Sequence, residues 1–170
     1  MKDLTIIING VSKGYAMTGW RIGYTAANKE ITKIMTNLQS HATSNPNTIA
    51  QYATIAALKG DQDMVNVMAK AFNERRKCMV EMINSIPNLS CKEPKGAFYV
   101  MVNISKIIGS EFDKVKINNS MDFADYLLDK AKVAVVPGIG FGVENYIRLS
   151  YATSIDNIKE GLERIENAIK

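Results

Sequence analysis

Between Asp61 and Ile86 the apolar residues Met64, Met68, Ala71, Phe72, Met79, Met82, Ile83 and Ile86 recur at mostly three- and four-residue steps, and Pro87 closes the series. That spacing lays one apolar stripe along a single long helix. Such a helix has to bury its stripe, so the remaining chain must supply another layer. Upstream, the β-branched run Leu4 to Asn9 reads as a buried strand ending in an Asn9-Gly10 turn, and Trp20 to Ala26 as a second strand. Asn28 caps a helix through about Gln39, and Pro46 opens another that stops at Gly60. Downstream come a strand from Ala97 to Val102, a polar loop from Ser105 to Ser120 and a helix from Met121 to Lys132. A buried strand from Val133 to Val136, a glycine-rich turn and a strand from Tyr146 to Tyr151 follow. In the last segment Ile155, Ile158, Leu162, Ile165 and Ile169 trace a helical face, capped by Thr153 or Ser154. Strands alternating with helices predict an α/β fold. The composition shift near Gly60 predicts two pieces, residues 1–60 and 61–170.

With 46% hydrophobic and 22% charged residues, the 170-residue chain has the composition of a globular protein and not of a disordered one. Its formal charge of +4 comes from basic residues interleaved with acids, only Arg75, Arg76 and Lys77 being adjacent, so no stripe for a nucleic-acid backbone is expected. No run approaches the roughly 20 apolar residues of a membrane helix, and the N-terminal decapeptide lacks the features of a secretory signal. The expectation is a cytoplasmic protein that binds neither membrane nor nucleic acid. Cys78 and Cys91 match neither a disulfide framework nor a metal-ligand pair and read as ordinary thiols. His41 is the single histidine, which excludes any site needing two, and no metal site is expected.

Lys13 lies in a small-residue turn after the first strand, and Arg21 follows eight residues later. Strand ends opening into turns are where α/β folds place ligands. A lysine that attacks a carbonyl must be partly deprotonated, which desolvation and a nearby cation favour, and a guanidinium suits bidentate phosphate binding. On spacing alone, solvated surface groups are the commoner reading of both, since most lysines and arginines simply solvate a surface. Arg148 stands out in an otherwise apolar and small-polar strand, where a buried guanidinium requires an anion, supplied either by a ligand or by an internal salt bridge. Gly138, Gly140 and Gly142 follow a strand, but a strand and not a helix comes next, so the dinucleotide fingerprint lacks its context. Tyr15, Trp20 and Tyr24 read as packing residues.

The string SKGYAMTGWRIGY from Ser12 to Tyr24 closely resembles the cofactor-lysine motif of the class I and II aminotransferases, enzymes of fold type I that use pyridoxal 5'-phosphate. Four later stretches agree in order: TSNPNTIAQYATIAAL from Thr43, KGAFYVMVNIS from Lys95, VAVVPG from Val133 and YIRLSYATS from Tyr146. The likeness is to the bacterial aspartate aminotransferase branch and spans essentially the whole chain. It implies that Lys13 is the Schiff-base lysine, Arg21 a clamp on the cofactor phosphate, Ser12 a weaker phosphate contact, and Arg148 the partner of the substrate α-carboxylate. It also implies a homodimeric full-length enzyme acting on an amino acid and a 2-oxo acid, with the region of Ser44, Asn45 and Pro46 near the partner subunit's site.

Members of this family run to about twice this length or more, and their cofactor lysine falls past the middle. The resemblance therefore implies a C-terminal part: residues 1–60 as the remnant of the large cofactor domain and 61–170 as the small α/β domain. The groups that hold the pyridine ring would belong upstream, leaving this chain alone inactive. Aspartate as substrate is a family-based expectation, since Ser40 and His41 stand where animal-type members place an arginine for the distal carboxylate. The alternative is a catalytically idle binding or oligomerisation module of the same fold.

Overall fold

The computed structural model describes residues 1–170, the side chain of Lys2 apart. It comprises two compact units, Met1–Met68 and Ala69–Lys170. Among the described residues no helix is long and apolar enough to cross a membrane.

The first unit carries an antiparallel ribbon, β1 (Ile7–Gly10) with β2 (Gly23–Ala26), registered from Ile7↔Ala26 to Gly10↔Gly23. Two helices follow, α1 (Lys29–Ala42) and α2 (Thr48–Lys59). Asn28 caps α1 by accepting the Ile31 N–H at 3.0 Å, as the sequence predicts. For α2 the cap is Asn47, which accepts from Ala50, and Pro46 stands just outside it instead of in the first turn. Val11, Met17, Ile22 and Ala50 form a small buried cluster. The first strand is shorter than predicted and is not buried. Residues 2–4 form a 3-10 turn, and Ile7 and Ile8 are 54% and 80% exposed, because a two-stranded ribbon leaves open edges and faces. The second strand also starts late: Thr18–Trp20 is a 3-10 turn, and Arg21 has a left-handed φ of 54° that no strand accommodates.

The helix α3 (Asp63–Ser85) contains the unit boundary and ends two residues before Pro87. In the second unit a four-stranded antiparallel sheet has the order β3 (Ser90–Cys91), β4 (Tyr99–Asn103), β8 (Tyr146–Ser150), β7 (Val136–Pro137). Alternation decides its two faces. Val100, Val102, Ile147 and Leu149 are buried in one core with Met79 and Ile83 of α3, while Tyr99, Met101, Asn103, Tyr146 and Arg148 on the other face are half-buried. The same core takes in Phe123 of α4 (Ser120–Tyr126) and Ile158, Leu162 and Ile165 of α5 (Ile155–Ala168). Ser154 caps α5, and the Tyr126 hydroxyl donates to the Ala168 carbonyl at 2.7 Å near its end.

Several boundaries move for local reasons. The strand predicted from Ala97 begins at Tyr99, since Ala97 has a left-handed φ of 59°. The predicted loop holds a short hairpin, β5 (Glu111–Phe112) with β6 (Val115–Lys116), turned through Asp113 and Lys114 at positive φ, and it buries Ile107 and Ile117 fully. The helix predicted to Lys132 is α-helical only to Tyr126; Leu127–Ala131 is a π-helical turn, and Lys132 ends it in the left-handed region. The strand predicted over Val133 to Val136 is reduced to β7, with Val136 38% exposed.

Gly138 begins the 3-10 turn Gly138–Phe141 that joins β7 to β8, and a Cβ there would collide with the backbone carbonyls of Val143 and Tyr146. Because backbone cannot give way as a side chain does, Gly138→Ala is expected to lower unfolding free energy by about 1 to 3 kcal/mol. Urea denaturation followed by circular dichroism measures it.

Candidate active site

The connection between β1 and β2, residues 11–22, is closed by the Gly10↔Gly23 pair, where a Cβ on Gly10 would meet the Ile22 carbonyl at 3.1 Å. Its first, middle and last parts are pinned by the buried Val11, Met17 and Ile22. Between these anchors the chain turns tightly: the Tyr15 N–H donates to the Val11 carbonyl at 3.3 Å and the Ala16 N–H to the Lys13 carbonyl at 3.2 Å. Ser12 is half-buried and Lys13 exposed in this turn. Tyr15 packs against the small cluster as expected, and its hydroxyl donates to Gln62 Oε1 at 2.9 Å, whereas Trp20 and Tyr24 are 45% and 40% exposed.

Arg21 donates from Nη1 to the Thr18 carbonyl at 2.9 Å, which fixes its side chain while leaving further N–H groups to bind elsewhere. Among the described residues no carboxylate lies within ion-pair distance of it. It lines an open groove of about 630 Å³ with Trp20, Thr43, Asn45, Pro46 and Ile49, while Ser12 and Lys13 stand outside the lining. His41 is exposed in the last turn of α1. Ser12, Lys13 and Arg21 thus share one short, anchored loop, of which only Arg21 lines the groove.

In the second unit Arg148 lies on the half-buried face of the sheet, opposite Met101. It is less buried than the sequence predicts, and among the described residues it has no salt bridge, which removes the internal ion pair as its explanation. Its guanidinium carbon stands instead 4.1 Å from the Tyr99 ring centroid and 4.5 Å from that of Phe141. Sequence reasoning missed both rings: Tyr99 reaches Arg148 only through the strand register, and Phe141 only through the turn after β7. The three glycines 138, 140 and 142 form that turn and its end, with a strand next, so no dinucleotide-binding helix follows.

Among the described residues no group of three His, Cys, Asp or Glu side chains is placed to hold a metal ion. The Cys91 thiol, beside a groove that also takes in Tyr99 and Met101, is pushed up by burial, against a smaller lowering by its Asn84 hydrogen bond.

A family profile described as aminotransferase class I and II matches residues 1–165. A probable aspartate/prephenate aminotransferase of Rickettsia bellii is 47% identical over 169 residues, 99% of this chain and 42% of that protein. An aspartate aminotransferase of Bacillus subtilis is 45% identical over 100% of this chain and 42% of its own length. The crystal structure of the aspartate aminotransferase from Rhizobium meliloti superimposes with a TM-score of 0.95 at 45% identity, covering 99% of this chain and 42% of that one. The chain spans about 42% of the length of the curated relatives it matches.

A raised thiol pKa means less thiolate at a given pH. Iodoacetamide at mildly alkaline pH is expected to label Cys91 more slowly in the folded chain than in denaturant, a difference that peptide mass mapping reads directly.

Proposed function

The chain belongs to the class I and II aminotransferase family, and from that premise we propose that it is the C-terminal part of a cytoplasmic, homodimeric aminotransferase of the bacterial aspartate branch. The enzyme moves an amino group between an amino acid, aspartate foremost, and a 2-oxo acid, with pyridoxal 5'-phosphate as cofactor. Residues 1–60 belong to its cofactor domain and residues 61–170 to its small domain. The observation that supports this most is the anchored loop 11–22, which carries Lys13 together with Arg21, a guanidinium without a carboxylate partner among the described residues.

Arg21 would hold the cofactor phosphate with its outward N–H groups, Ser12 adding a weaker hydroxyl contact, and Lys13 would tether the cofactor through its amine. When bound, pyridoxal phosphate acts as an electron sink for the substrate's α-carbon. Lys13 would then serve as general base, taking the proton from that α-carbon and passing it on to the cofactor carbon. Arg148 would hold the substrate α-carboxylate through its planar fork. The ring-side contacts come from polypeptide outside this chain, so the chain alone is expected to bind cofactor weakly and to show no transaminase turnover.

Borohydride trapping of pyridoxal phosphate on the chain, followed by peptide mapping, tests the assignment. Labelling at Lys13, reduced about tenfold or more by Arg21→Ala through loss of a charge-assisted contact, is the expected result. Labelling spread evenly over surface lysines would overturn it in favour of an idle module, and robust turnover by the chain alone would overturn the division of the site.

A further inference from the structure

Arginines that bind anionic substrates face a conflict. Left loose, the side chain loses rotamer freedom when the anion arrives; tied to a carboxylate of its own protein, it is oriented but its donors are already taken. Arg148 escapes both. Its guanidinium carbon is 4.1 Å and 4.5 Å from two ring centroids, and among the described residues no carboxylate lies within ion-pair distance. We propose that Tyr99 and Phe141 are positioning residues for carboxylate capture: the two rings hold the Arg148 guanidinium in place without occupying its N–H groups. This rests on the reading of Arg148 as the carboxylate-binding residue.

Ring faces attract the cation through their quadrupole and accept no hydrogen bond that would compete with the in-plane N–H groups of the fork. An arriving planar anion therefore meets an edge that is fixed and unneutralised. Each ring is itself fixed from behind. Tyr99 begins β4 directly after a segment held by Tyr151, whose hydroxyl donates to the Ala97 carbonyl at 2.9 Å and whose N–H donates to the Phe98 carbonyl at 3.0 Å.

Phe141 ends the 3-10 turn that Ser120 fastens at both sides. The Ile139 N–H donates to Ser120 Oγ at 3.2 Å, and the Ser120 N–H donates to Glu144 Oε1 at 2.6 Å. Within the turn the Val143 N–H closes onto the Gly138 carbonyl at 3.1 Å. Ser120 is fully buried although Phe141 is 46% exposed, so the turn is anchored in the core while its ring stands at the surface over Arg148. Glu144 serves this latch as a hydrogen-bond acceptor.

The test uses the 170-residue chain labelled with nitrogen-15 and succinate as the probe. The Nε–Hε resonance of Arg148, assigned by its loss in Arg148→Ala, is expected to be displaced by ring currents from those of the other arginines. Phe141→Leu and Tyr99→Leu should each move it toward them, Tyr99→Phe should leave it in place, and Ser120→Ala should move it partway. Succinate binding should weaken about 3- to 10-fold in each leucine variant and change by less than about 2-fold in Tyr99→Phe, the scale expected for losing or keeping a partly desolvated cation–ring contact. Circular dichroism confirms that each variant is folded. An undisplaced resonance in the wild type, or leucine variants that bind as the wild type does while Arg148→Ala abolishes binding, would overturn the ring clamp and leave Arg148 as the carboxylate site. Binding that survives Arg148→Ala unchanged would overturn the carboxylate reading, and the clamp's purpose with it.

Discussion

The antiparallel pairing of β4 with β8 is the constraint on which the second unit depends. Its register sets Val100 against Leu149 and Val102 against Ile147 on the buried face, and on the other face Met101 against Arg148. Because side chains alternate with a period of two, a slip of β8 by one residue would exchange its faces, sending the Arg148 guanidinium into the core and Ile147 and Leu149 to the surface. The cost of burying that charge unpaired is far larger than any local preference of the strands. The hydrophobic alternation therefore places Arg148 on the half-buried face as a by-product of building the core. The core's own depth, from Ile83 on α3 to Ile165 on α5, makes the placement firm.

The first unit solves a different problem with fewer means. Its loop between β1 and β2 must present polar groups and still have a defined shape, and three buried apolar side chains spaced along twelve residues give it that shape. The residues between them are free to be chosen for chemistry. The left-handed backbone at Ala16 and Arg21 marks where the chain bends back between anchors. At Arg21 the bend falls inside the strand expected there, which is why that strand starts only at Gly23.

What the sequence made legible follows from the range of the interactions involved. Caps and amphipathic faces are local, and Asn28, Ser154 and the stripe of Ile158, Leu162 and Ile165 were readable for that reason. The motif carrying Lys13 and Arg21 was readable because its residues are contiguous. The hairpin inside the polar stretch was not, since strands of two residues have no periodicity to detect and its buried anchors Ile107 and Ile117 are ten residues apart. Nor was the surrounding of Arg148, where Tyr99 lies 49 positions upstream in the chain and meets it only across a strand pair. The π-helical turn after Tyr126 was invisible because its residues have ordinary helix propensities; only the tertiary setting widens it.

The ribbon of the first unit has a consequence for how the chain behaves in bulk. Ile7 and Ile8 are exposed on a strand with one neighbour, and Ile34, Leu38, Ile49 and Tyr52 are each at least 67% exposed on α1 and α2. Open strand edges beside apolar side chains are templates for pairing between molecules. A net charge of only +4 opposes such pairing weakly. Wherever copies pair along such an edge, melting temperature and sedimentation become functions of concentration, and a value taken at one dilution does not carry over to another.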